Sequence, residues 1–140
     1  MKRHEGLRGL SDDHHRALVL ARELRRAGSA EPGERPEQLA ARIRAQFEAE
    51  LEPHFRVEED VLLPALSRRG ETELVERTLQ DHERLRSWVR GEWSGSTAQE
   101  IGALLERHVR FEERELFPSA EARLTESELR SVEEARRVAS

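Results

Sequence analysis

The feature that most constrains this chain is a hexapeptide written twice: His54 to Glu59 reads HFRVEE, and His108 to Glu113 reads HVRFEE. The likeness runs on, HFRVEEDVLLPAL against HVRFEERELFPSA, with a Leu or Phe before proline and an alanine beyond. Upstream of each copy stands a histidine preceded by acid, in DDHHRAL (Asp12 to Leu18) and in QDHERLR (Gln80 to Arg86). The chain therefore reads as two copies of one helical hairpin. The first helix of each gives a histidine and the second gives His-x-x-x-Glu.

On a helix, positions i and i+4 stand about 40° apart and about 6 Å along the axis, so His54 and Glu58 point the same way, as do His108 and Glu112. Two hairpins facing one another bring four imidazoles and two carboxylates into one interior layer, the place where helical bundles build metal sites. Burying those groups without a partner ion is expensive. Periodicity selects the histidine on the first helix. His14 lies beside the apolar stripe of Ala17, Leu20, Ala21 and Leu24, whereas His15 turns towards the arginine-rich side. On the third helix His82 is flanked by Val75, Leu79, Leu85 and Val89 and is expected to face the core. Glu59 and Glu113 lie a further ~100° around and read as solvated or salt-bridged surface in preference to supports for the neighbouring ligands, and His4 reads as a terminal residue without a role.

The expected fold is all-α, an antiparallel up-down-up-down four-helix bundle with a short C-terminal fifth helix. It forms a single domain over residues 1–140, the bundle spanning about 11–122 and the last helix about 125–139. Ser11, followed by Asp12 and Asp13, reads as the N-cap of a helix running to about Ala27, before Gly28 and the loop GSAEPGERP. Pro36 opens a long second helix that stops at SRRG, and Pro53 inside it predicts a kink or bulge just before His54. The third helix is expected from about Thr72 to Trp93. Thr97 with Glu100 reads as a capping box for the fourth, which reaches Phe117 or slightly beyond Pro118. Thr125 with Glu128 is a second box, opening a short helix with Leu129, Val132 and Ala135 inward.

Cysteine is absent, which removes disulfides, thiolate metal sites and cysteine nucleophiles together. The formal charge of −5 gives no electrostatic footprint for nucleic acid. No apolar run approaches the ~18 residues of a membrane span and no signal-peptide pattern opens the chain, so a cytoplasmic protein without nucleic-acid or membrane partners is expected. Trp88 and Trp93 read as core packing, and the lack of tyrosine argues against a tyrosyl-radical generator.

The order His14, His54 with Glu58, His82, His108 with Glu112 resembles the H-HxxxE-H-HxxxE pattern of the hemerythrin-like proteins, or HHE cation-binding domains, over about Gly9 to Arg123. The resemblance implies a non-haem di-iron centre in which Glu58 and Glu112 bridge the irons beside an oxo or hydroxo group. It assigns His14 and His54 to one iron, His82 and His108 to the other. Oxygen-carrying members have HxxxH on the third helix and an aspartate where this chain has Glu112. Here Thr78 and Arg86 flank His82 at four residues, so the fifth histidine is missing. Both ions would keep open positions for a small ligand such as O2, NO or H2O2. Imidazole and carboxylate also suit zinc and manganese, so iron follows from the resemblance. Three functions fit: a sensing or stress-response module acting through a separate protein partner, an enzyme turning over peroxide or nitric oxide, or a structural bundle holding a divalent ion.

Overall fold

The computed structural model describes residues 2–27 and 34–139, and within them all regular structure is helical. Gly28 and most of the loop expected after it lie outside the described residues. The helices are α1 (Glu5–Arg26), α2 (residues 36–68), α3 (Thr72–Arg90), α4 (residues 97–123) and α5 (Glu126–Ala139). The sequence places the N-cap of α1 at Ser11; the structure places it seven residues earlier, at His4. Leu7 and Leu10 extend the apolar stripe below Ser11 and are fully buried, which makes the additional turns worth forming. The cap is His4, whose Nδ1 accepts the Gly6 N–H at 2.9 Å. Its Nε2 lies 3.0 Å from Glu126 and its backbone N–H donates to Glu121, so His4 is a structural residue after all.

Three π-turns interrupt the long helices: Phe47–Leu51 and Glu58–Leu62 in α2, and Glu112–Leu116 in α4. Each ends two residues before a proline, at Pro53, Pro64 and Pro118. A proline ring collides with the carbonyl four residues back and offers it no N–H, and a widened turn relieves both problems without ending the rod. The distortion expected before His54 is present. Two more follow the repeated glutamates, where the sequence reading has straight helix. Glycine at 70, with φ of 82°, closes α2 in a Schellman arrangement: its N–H donates to Ser67 O and that of Glu71 to Leu66 O. The Thr125–Glu128 capping box forms reciprocally. The Thr97–Glu100 box does not: Thr97 is already helical, and its hydroxyl accepts the N–H of Ser94 in the preceding turn.

Cross-helix pairs give the directions. Glu23 meets Arg42 while Asp13 meets His54, so α1 and α2 are antiparallel. Arg90 meets Glu48 while His82 meets Glu59, and Asp81 meets His108 while Arg77 lies near Glu115, so α3 is antiparallel to α2 and to α4. Arg3 reaches Glu121 while Arg25 reaches Glu106, completing the four-helix bundle between α1 and α4. The fifth helix lies along the start of α1, with Leu129 against Gly6 and Arg136 against Gly9. Leu129 and Val132 are buried there and Ala135 partly so.

The apolar interior falls into two clusters. One, around Leu24, Ile43, Phe47, Leu85 and Ile101, fills the end away from α5. The other, around Leu7, Leu62, Leu66, Phe117 and Val132, fills the end that α5 covers. Between them lies a layer of buried histidine and glutamate. Leu79 departs from expectation: it is solvent-exposed, and the buried Thr78 takes the inward position on that turn. Trp88 and Trp93 pack against the first cluster, as expected.

Close approach of α1 and α4 rests on Gly102, where a Cβ would sit 2.7 Å from the carbonyl oxygen of Ala21. Gly102→Ala is expected to destabilise the metal-free protein by about 1–2 kcal/mol in urea unfolding, the overpacking outweighing the ~1 kcal/mol of helix propensity gained. An unchanged or raised midpoint would contradict this packing.

Candidate metal centre

The six side chains singled out by the sequence meet in the polar layer, one histidine from each of α1 to α4 and one glutamate each from α2 and α4. Glu58 and Glu112 are entirely excluded from solvent, and His14, His54, His82 and His108 are at most 4% exposed. His15 points outward. The donor atoms form two groups, each lying within 4.8 Å: His14, His54, Glu58 and Glu112, and Glu58, His82, His108 and Glu112. Both glutamates belong to both groups. Glu58 lies 3.1 Å from His54 Nε2 and 3.0 Å from His82 Nε2. Glu112 lies 2.8 Å from His14 Nε2 and 3.1 Å from His108 Nε2.

The opposite ring nitrogens face four further carboxylates. Nδ1 of His14 meets Glu113 at 2.6 Å and that of His54 meets Asp13 at 3.0 Å. Nδ1 of His82 meets Glu59 at 2.7 Å and that of His108 meets Asp81 at 2.9 Å. A carboxylate accepting the Nδ1–H fixes the tautomer that leaves Nε2 as a lone-pair donor towards the interior, and it raises the basicity of that donor. The pattern repeats with the hairpins: each aspartate preceding a histidine serves the histidine of its own hairpin, and each second glutamate serves a histidine of the other.

This corrects the reading of Glu59 and Glu113 as surface residues. A bundle helix has neighbours on both flanks, so a side chain ~100° from the core axis lies in a seam between helices. Glu59 and Glu113 are partly buried in such seams, held also by Arg86 and Arg3. The sequence marks Asp13 and Asp81 only as acids before histidine; that dipeptide and the tandem glutamates are the signals that could have found all four.

Whether a cation suits this layer can be judged from its polar atoms. Both carboxylate oxygens of Glu58, Oε2 of Glu112, and Nε2 of His82 and His108 are buried without a hydrogen bond of acceptable geometry. Buried polar atoms are seldom left unpartnered, and these five converge on one place. An all-imidazole and carboxylate donor set of this kind fits a divalent transition metal. Aromatic rings wall the layer: Phe55 stacks on His82 with centroids 3.8 Å apart, and Phe117 on His14 at 5.3 Å.

The electrostatics follow from the same contacts. Burial would lower the pKa of His14, His54 and His108, but the adjoining carboxylates outweigh it and all three are raised, His108 to about 10. Glu112 is held well below the usual carboxylate range, its burial overcome by His108, His14 and His54. Asp13, Glu59 and Glu113 are likewise partly desolvated, yet imidazole and guanidinium partners bring each down to about 2. Without metal, protons favoured on His14, His54 and His108 offset the buried carboxylate charge.

That arrangement has a definite pH dependence. Stabilisation from histidines with raised pKa is complete below their ordinary 6.5 and is lost as pH climbs towards about 10. Stabilisation from the depressed carboxylates is present above their ordinary 3.8 to 4.5 and is lost as pH falls towards about 2. Thermal unfolding of metal-free protein should therefore peak between about pH 4.5 and 6.5. A maximum above pH 8 would contradict the assignment.

Comparison with known proteins gives one result. The family model of the hemerythrin HHE cation-binding domain matches residues 5–120. Neither curated proteins nor solved structures give a significant match. Among the described residues no helix is long and apolar enough to cross a membrane. With the match covering most of its length, and with a buried His/Glu cluster compatible with metal binding at the centre of a helical bundle, the chain belongs to the hemerythrin HHE cation-binding domain family.

Proposed function

We propose that this protein holds two iron ions in the His/Glu layer and uses them to bind a small uncharged ligand, O2, NO or H2O2, in a sensing or stress-response role. The observation that carries this reading is the pair of overlapping donor groups sharing Glu58 and Glu112. In this reading His14 and His54 would hold one ion and His82 and His108 the other, with Glu58 and Glu112 available to both. Bound iron supplies Lewis acidity and redox capacity, and four protein donors leave each ion open positions.

The surroundings narrow the ligand. Phe55, Phe117 and the apolar clusters at both ends keep bulk water from the layer, which disfavours large or charged ligands. Binding is favoured over turnover because the four Nδ1 groups are each committed to a carboxylate and the chain has neither tyrosine nor cysteine. Ready proton and radical donors are therefore scarce. A sensor of this kind would report to a separate protein partner from the cytoplasm.

Protein loaded anaerobically with ferrous iron is expected to hold two ions per chain. Glu58→Ala or Glu112→Ala should each cut this to one or fewer, and His14→Ala should cost more than His15→Ala. Glu59→Ala should weaken binding by about 10- to 100-fold through His82. Addition of peroxide should give a spectral change complete within a few equivalents. Consumption of many equivalents would replace the sensor with a peroxidase or catalase-like enzyme, and wild-type protein without stoichiometric metal would overturn the reading.

A further inference from the structure

The two halves of the layer are repeats in their histidines, glutamates and Nδ1 acceptors, but not in what surrounds those acceptors. Glu113 and Glu59 correspond, and each is paired with one arginine, Arg3 at 3.0 Å and Arg86 at 2.7 Å. Asp13 and Asp81 also correspond, and here the symmetry fails. Asp13 accepts from Arg136 at 2.7 Å and from Arg16 at 2.8 Å while holding His54. Asp81 holds His108, and among the described residues no arginine or lysine pairs with it. Arg136 comes from α5, beyond the residues that match the family.

A carboxylate already neutralised by two guanidiniums is a weaker acceptor for an imidazole N–H than a free one, and the imidazole it orients is a less basic donor. The same guanidiniums add positive charge behind His54, whereas among the described residues no arginine or lysine forms an ion pair with the Asp81 carboxylate behind His108. We infer that the two metal positions are inequivalent: the His82–His108 position fills first, and the His14–His54 position is the weaker one, kept so by Arg136 from α5. The inference rests on the two-ion reading above. Arg136 is then a positioning residue, acting on the metal through Asp13 and His54. The ion nearer α5 is the exchangeable one, and displacement of α5 changes its affinity.

The test is anaerobic titration of metal-free protein with cobalt(II), followed by its visible absorption and by calorimetry. Wild-type protein should show two phases separated by about tenfold or more in affinity, within the range expected of partners that orient a ligand. Arg136→Gln, which removes the charge, should tighten the second phase about three- to tenfold and leave the first in place. Val132→Ala, which loosens α5 but keeps the guanidinium, should tighten the second phase less than Arg136→Gln does. Asp81→Asn should weaken the first phase. His54→Ala should delete the second phase and His108→Ala the first, with far-UV circular dichroism checking the fold. Two ions bound in one indistinguishable phase, or an Arg136→Gln variant that weakens the second phase, would overturn the inference while leaving two-ion binding intact. Fewer than two ions in wild-type protein would instead refute the reading beneath it.

Discussion

Two carboxylates at the centre of the bundle, Glu58 and Glu112, have no access to water. Charges so placed are tolerated only when matched by nearby positive charge, and removing that match is strongly destabilising. In this chain the match comes from the surrounding imidazoles: His14, His54 and His108 favour carrying protons, and all four histidines stand where they could hold metal ions. Protons do so incompletely, since several of the interior atoms find no hydrogen bond of acceptable geometry. The rest of the architecture serves to hold this layer: an apolar cluster closes each end, and aromatic rings stack on the histidine faces.

Duplication explains how so small a chain assembles the layer. Each hairpin supplies two histidines, one interior glutamate, one aspartate and one seam glutamate, so neither hairpin alone completes a group of donors. The crossing of support between hairpins, Glu59 to His82 and Glu113 to His14, couples their docking to the orientation of the rings. Prolines take part as well. Pro64 and Pro118 each force a π-turn that begins at the interior glutamate, so the widened turn starts at the residue whose carboxylate belongs to both donor groups.

Much of this is legible in the amino-acid sequence, for a physical reason. A spacing of four on a helix is a geometric statement, so His54 with Glu58 and His108 with Glu112 announce their shared direction, and the apolar stripe separates His14 from His15. What a linear pattern lacks is knowledge of neighbours. A helical wheel treats one helix against one core, whereas Glu59 and Glu113 sit in seams between helices. Ser11 and two aspartates look like the cap of α1, while the true cap, His4, depends on Glu121 and Glu126 more than a hundred residues away. The Arg136–Asp13 contact is hidden likewise, since nothing local in α5 says which groove it enters.

The central claim is that these six side chains enclose a pair of ions. Anomalous scattering at the iron edge from crystals of the iron-loaded protein tests it most directly. The account predicts two peaks in the layer, one beside His14 and His54, the other beside His82 and His108, with Glu58 and Glu112 reaching both. A single peak, or iron found only outside the layer, would contradict it.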